Sequence, residues 1–253
     1  MKAVKTLLLV VAMLLLANLA FAQTWTQTSA PTINYWSAIA SSADAKKLVA
    51  TTTGSPAAIY TSTNSGATWT AQTNSVNQVW WAVASSADGN KLVATGGGPF
   101  GNGLIFSSTD SGATWVPLAG APSTNWFSIA SSADGGKLVA VAGGSSHIGS
   151  IYTSTDSGTN WTLQASAPNT NWNAVASSAD GSKLVAVITG GSIYTSTNLG
   201  ITWKQSSAPP ASWNAVASSA DGSKLVAVVY NGGIYTSTNS GATWIQTVAP
   251  TNS

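Results

Sequence analysis

The side chains able to do chemistry in this chain are few: seven Asp, one His, and no Cys, Glu or Arg. The Asp residues form two series. In the first, Asp110 and Asp156 stand in the pattern Ser-x-Asp/Asn-x-Gly-x-x-Trp, which occurs at residues 62–69, 108–115, 154–161, 196–203 and 237–244. Asn64, Asn198 and Asn239 take the acidic place in the other three copies. A catalytic carboxylate does not survive that exchange. An Asx turn does, because either side chain accepts hydrogen bonds from nearby backbone N–H groups. Gly66, Gly112, Gly158, Gly200 and Gly241 are placed to supply the positive φ of a tight turn. Trp69, Trp115, Trp161, Trp203 and Trp244 then open a strand and bring a large apolar body for burial. These residues read as structural.

The second series is Asp44, Asp88, Asp134, Asp180 and Asp221, each after Ala and four of them before Gly. They too read as turn formers, one per repeat. A glycosidase generally needs two carboxyls roughly 5–9.5 Å apart in different environments, and nothing in the spacing pairs these. His147 lies alone in a Gly- and Ser-rich stretch, with no Cys or Glu nearby to make a transition-metal site. Residues 96–101 formally fit GxGxxG, but a strand-like Leu104-Ile105-Phe106-Ser107 follows where a phosphate loop needs a helix. No catalytic residue, metal ligand or cofactor is expected.

The elements that would position these residues repeat. Trp-x-Ala/Ser-Val/Ile-Ala-Ser-Ser-Ala-Asp starts at Trp36, Trp80, Trp126, Trp172 and Trp213, and Lys-Leu-Val-Ala follows at Lys47, Lys91, Lys137, Lys183 and Lys224. Residues 173–187 and 214–228 are identical. Such self-similarity, at spacings of 44, 46, 46 and 41 residues between the first Trp of successive units, marks a repeat architecture. One unit reads as four strands, in the fourth copy 172–177, 183–188, 192–196 and 202–205, with Gly, Asn, Asp and Pro in the breaks. The second strand, Leu184-Val185-Ala186-Val187, is apolar on successive residues, so both of its faces must be covered. Four-stranded sheets stacked radially, each covered by its neighbours, meet that requirement. The expected fold is all-β: a closed β-propeller of five four-stranded blades spanning residues 23–253.

The Ser-x-Asp/Asn-x-Gly-x-x-Trp copies resemble the Asp-box, or BNR repeat, of sialidase-like β-propellers, over about residues 24–250. The resemblance implies the propeller fold and places the box on a hairpin away from any active site. It does not carry the hydrolase activity over. Sialidases of that family use an Arg triad and a Tyr–Glu pair, and this chain has neither Arg nor Glu. Photosystem II assembly-factor propellers, with their basic Arg patch, fail as a match on the same ground.

The first Trp of each repeat begins the first strand. In a propeller, Trp36, Trp80, Trp126, Trp172 and Trp213 would share one face, with Tyr35, Trp81, Asn34, Asn125 and Asn171 beside them. Two readings stand: packing between blades, or a ring of aromatics and amides that stacks on and hydrogen-bonds a sugar.

Residues 1–22 read as a signal peptide: Lys2 and Lys5, the apolar run 7–16, and Ala20-Phe21-Ala22. The run is too short for a membrane span, so the expected location is secreted or periplasmic. Two of the nine Lys lie in that segment, leaving seven against seven Asp. A neutral surface argues against nucleic acid. The expected protein is a non-catalytic binding module for a neutral glycan or a cell-envelope protein; a purely adhesive repeat protein and a sialidase-like hydrolase are the alternatives. Thr24-Trp25-Thr26-Gln27 duplicates the last strand of a unit, Thr243 to Gln246, leaving one copy spare for self-association through an unpaired edge.

Overall fold

The computed structural model describes residues 26–32, 35–54, 57–72, 78–97, 103–143 and 148–249. Residues 1–22, Asn34, Trp25 and His147 lie outside these, so the signal-peptide reading and the lone His carry no structural account. Among the described residues there are only strands, turns and bends, and no helix long and apolar enough to cross a membrane.

Among the described residues twenty strands form, four per sequence repeat. The first unit holds β1 (Trp36–Ser41), β2 (Leu48–Thr52), β3 (Ile59–Ser62) and β4 (Thr70–Ala71). The second holds β5 (Trp80–Ser85), β6 (Leu92–Gly96), β7 (Leu104–Ser108) and β8 (Val116–Pro117). The third holds β9 (Trp126–Ser131), β10 (Leu138–Ala142), β11 (Ile151–Ser154) and β12 (Thr162–Leu163). The fourth holds β13 (Trp172–Ser177), β14 (Leu184–Gly191), β15 (Ile193–Ser196) and β16 (Lys204–Gln205). The fifth holds β17 (Ala211–Ser218), β18 (Leu225–Val229), β19 (Ile234–Ser237) and β20 (Ile245–Gln246). The first three units are separate antiparallel sheets in sequence order. The last two merge, because β14 runs on past its pairing with β13 to meet β17 at Thr189↔Ser212 and Gly191↔Ala211.

The innermost strands pack in series: β1 on β5, β5 on β9, β9 on β13, and β13 on β17. The short fourth strands are exposed. The units therefore fan outward from their first strands. Between each pair lies one apolar core, built from two unlike faces. The earlier unit contributes β-branched residues of its second and third strands, such as Val139, Val141 and Ile151. The later unit contributes Trp172, Val175, Leu184, Ala186 and Trp203. The other three junctions repeat this composition. Both faces of the second strand are used, which explains its unbroken apolar run.

A line of polar contacts runs along one side of the junctions. Ala43 N–H donates to the Ala87 carbonyl, Ala87 to Ala133, Ala133 to Ala179 and Ala179 to Ala220, each at 2.7 Å. Lys91, Lys137 and Lys183 donate from Nζ to the carbonyls of Asp134, Asp180 and Asp221 in the next unit, at 3.0, 2.7 and 2.9 Å.

The expected closure of the ring is not what the structure presents. Ile39 is 65 % exposed and Trp36 41 %, while Val83, Ile129, Val175 and Trp80, Trp126, Trp172, Trp213 in the later units are at 7 % or less and Val216 of the fifth is half-buried. At the other end Val226 is 37 % exposed, against 1 % for Val185. The four junctions share one geometry, and that geometry leaves the first and last faces apart.

Candidate functional site

The recurring turns come first, since they hold the carboxylates. In the third unit Ser154 Oγ donates to Asp156 Oδ1 at 2.8 Å and accepts from Gly158 N–H at 2.9 Å. Asp156 Oδ1 also accepts from the Asn160 backbone N–H at 2.9 Å. In the second unit Asp110 is held the same way, by Ser108 and by Thr114 N–H. Asn64, Asn198 and Asn239 make the same bonds through Oδ1. The residue before each Gly is also left-handed, from Ser240 at φ 56° to Leu199 at φ 63°. The turn thus contains two consecutive left-handed residues, a feature the glycine alone did not reveal. Trp115, Trp161 and Trp244 tie the turn down by donating from Nε1 to the carbonyls of Gly112, Gly158 and Gly241.

The second Asp series is equally tied. Asp88, Asp134, Asp180 and Asp221 each accept from the hydroxyl of the Ser two residues earlier and from a backbone N–H two residues later. Asp44 does the same with Ser42 and Lys46. Because these donors favour the charged form, all seven Asp carboxyls are held below their ordinary value. The Thr114 hydroxyl and N–H, with Ser108, bring Asp110 down to about 2. No carboxyl here is poised to donate a proton near neutral pH. Among the described residues no group of three His, Cys, Asp or Glu side chains could hold a metal.

Of the two readings of the first-strand indoles, burial supports packing between units and not an exposed, sugar-stacking ring at Trp80, Trp126, Trp172 and Trp213. Trp80, Trp126, Trp172 and Trp213 lie in the junction cores at 0–2 % exposure. Each sits edge-on to an aromatic of its own third strand, as Trp126 does to Tyr152 at 5.2 Å. Each also packs against the Trp that follows its unit's turn: Trp80 with Trp115, Trp126 with Trp161, Trp172 with Trp203 and Trp213 with Trp244. The cause is the alternation of strand faces: the first Trp points at the preceding unit, where burial is available. Trp36 stays half-open, since no unit among the described residues packs on its outer face, although it still packs on Tyr60 and Trp69. With Leu48, Ala50, Trp69 and Ala30 it lines a cavity of about 410 Å³. Asn125 and Asn171 are half-buried before β9 and β13; Asn171 Oδ1 is buried and makes no hydrogen bond among the described residues.

The residue after each of these Trp behaves differently. Trp81 and Phe127 are half-buried and stack on each other across the second junction, with centroids 5.9 Å apart and planes at 24°. Asn173 reaches across the next junction but one, donating from Nδ2 to the Trp213 and Asn214 carbonyls at 3.2 and 2.7 Å. Asn214 is exposed. These four side chains follow one another along the inner strands and leave aromatic and amide groups partly accessible. Sequence reasoning named Trp81 and missed Phe127, Asn173 and Asn214. The signal was present: within a marker that is otherwise nearly constant, this position reads Ser37, Trp81, Phe127, Asn173, Asn214.

Fold and surfaces together define a propeller-type repeat protein, all-β and built of four-stranded antiparallel units. No protein-family model and no curated protein sequence matches the chain. Solved structures do. A chain of the nidogen/laminin complex superposes with a TM-score of 0.69 at 18 % identity, covering 86 % of this chain and 81 % of that one. The GH74 xyloglucanase of Xanthomonas campestris gives 0.64 at 19 %, covering 84 % and 38 %, and the GH74 enzyme of Niastella koreensis gives 0.63 at 26 %, covering 85 % and 32 %. YCF48 bound to D1 peptide gives 0.63 at 20 %, covering 90 % and 71 %. The chain therefore spans less than two fifths of the GH74 enzymes it resembles. These likenesses establish the fold.

Proposed function

We propose that this chain is a non-catalytic, exported binding module: five blades bearing Asp-box hairpins, with a neutral glycan held along the inner strands at Trp81, Phe127, Asn173 and Asn214. The observation that carries this reading is the Trp81–Phe127 stack, two half-accessible aromatics from adjacent units beside two amides. Aromatic faces take the apolar C–H patches of a sugar, and amides bond its hydroxyls. The fixed carboxylates support a binding role over a hydrolytic one, since glycoside hydrolysis needs an acid with a raised pKa. With no Arg to grip an anion, a neutral ligand is favoured.

Xyloglucan oligosaccharides, suggested by the GH74 neighbours, are a suitable probe. Calorimetry on residues 23–253 should give binding that is unchanged between low and moderate salt and is lost in Trp81→Ala. Binding that collapses in salt, or that survives Trp81→Ala intact, would discard this site. A blank result across neutral glycans together with capture of a peptide would replace the glycan by a protein ligand, as in the YCF48 complex.

A further inference from the structure

The two ends of this chain carry the two halves of the junction that it builds four times internally. The first unit presents Trp36, Ile39 and Leu48 with no β-branched strand face against them among the described residues; Ile39 is the most open, at 65 %. The fifth presents Val226, Val228 and Ile234, the counterparts of Val185, Val187 and Ile193, which are fully buried in the fourth junction. The polar line is left open in the matching sense. Ala220 accepts from Ala179, but its own N–H has no acceptor among the described residues, and the Ala43 carbonyl likewise receives no donor. Lys224 Nζ, unlike Lys91, Lys137 and Lys183, makes no hydrogen bond there either.

From this we infer that the open face of the first unit is a docking surface for the fifth unit of a second copy of this chain, joined head to tail. The four internal junctions show the chemistry required: Val, Val and Ile over Trp and Leu, one alanine N–H to an alanine carbonyl, and a lysine laid over the next turn. The fifth unit supplies each of these and the first unit receives each. Closing the gap within one chain would mean changing all four junctions at once, and their alanine bonds are uniform at 2.7 Å. A second copy repeats the junction with both chains unchanged. Such a contact is heterologous, so it propagates until a ring closes or a filament grows.

One residue limits its strength. In units two to five the turn glycine, as at Gly181, lies under the preceding lysine, and a Cβ there would come within 2.8 Å of it. The first unit has Ala45 at that position, left-handed at φ 55°. An incoming Lys224 must give way to that methyl group, which makes the association weaker than the internal junctions and dependent on concentration.

Sedimentation of residues 23–253 tests this. The wild type should shift reversibly from monomer towards oligomer as concentration rises towards about 100 µM, the range of weak contacts. Ala45→Gly, by removing an overpacked methyl group, should tighten the association about fivefold or more. Ile39→Asp and Val226→Asp change exposed positions at opposite ends, so each variant alone should stay monomeric. Mixed, they should form a one-to-one dimer through the intact face that each retains, and nothing larger. A wild type and an Ala45→Gly variant that both remain monomeric would overturn the inference. So would a mixture that fails to pair, or a single variant that still self-associates.

Discussion

Lys137 lies across Gly181. Its ammonium donates to the Asp180 carbonyl at 2.7 Å, while its Cβ and Cδ stand 2.9 and 2.8 Å from where a side chain on Gly181 would begin. The pair joins two units that are separate in sequence, and one residue's lack of a side chain makes room for the other's stem. Gly181→Ala should therefore do double damage, through a left-handed φ of 72° and through the clash. A loss of about 2–3 kcal/mol is expected. Gly190 has nearly the same φ of 71° but nothing within 4 Å, so Gly190→Ala should cost only about 1 kcal/mol. Urea melts of both variants measure the difference, and equal losses would remove the lysine from the explanation.

The Asx turns make a second comparison. Gly158 has φ 89° and a Cβ there would run into the Leu118 side chain, so Gly158→Val should cost more than about 2 kcal/mol. Asp156→Asn should be nearly neutral, because Asn239 makes the corresponding bonds in the fifth unit. A large loss from the Asn variant would mean that the charge itself has a task.

Acid should unfold the protein from below about pH 4. Every Asp is held beneath its ordinary value by hydroxyl and backbone donors, so the unfolded chain takes up protons first. The stability these groups contribute is complete above the unfolded value. It is lost as pH falls through the folded value, and for Asp110 that window runs from 3.8 to about 2. The melting temperature should be flat from pH 7 to about 5 and then drop. Asp110→Asn should soften the drop.

The two kinds of inner-strand aromatic should separate cleanly. Trp172 is fully buried between Tyr194 and Trp203, so Trp172→Ala should cost about 3–5 kcal/mol. Trp81→Ala removes a half-buried side chain and should cost less than about half of that. Thermal denaturation of the two variants checks this, and a larger loss at Trp81 would make its stack with Phe127 purely structural.

Deleting Gln23 to Ala30 probes the duplicated terminal strand. Ser29 Oγ donates to the Ala67 carbonyl at 2.8 Å, as Ser166 does to Ile201 and Ser207 to Ala242 at 2.9 Å. The N-terminal segment thus takes the place of a linker from a preceding unit, while β20 already pairs with β19. The truncated monomer should stay folded by circular dichroism, with a lower melting temperature from the bared Trp36. Global unfolding would make that segment an essential part of the fold.

The sequence by itself determined the repeat. Periodicity, Asx and glycine positions, and apolar runs are local, and five in-register copies inside one chain act as their own alignment. They set the four strands of each unit and the turn between the third and fourth, where Asp and Asn interchange because Oδ1 accepts the same two bonds in either. The second side-chain atom pairs with the residue four positions on, accepting as Oδ2 in Asp110 and Asp156 and donating as Nδ2 in Asn64, Asn198 and Asn239. The strands came out close to expectation: β13 as read, with β14 extended to Gly191 so that it meets β17. What only the tertiary structure decided is which face each side chain takes at a junction. Trp172 and Asn173 are adjacent in sequence, yet one is sealed in a core and the other reaches across to the fifth unit's inner strand, because neighbours on a strand point to opposite sides. Ring closure was equally beyond reach of the sequence. It depends on the angle between units, which four nonlocal packings set together, and no residue pattern within one unit encodes it.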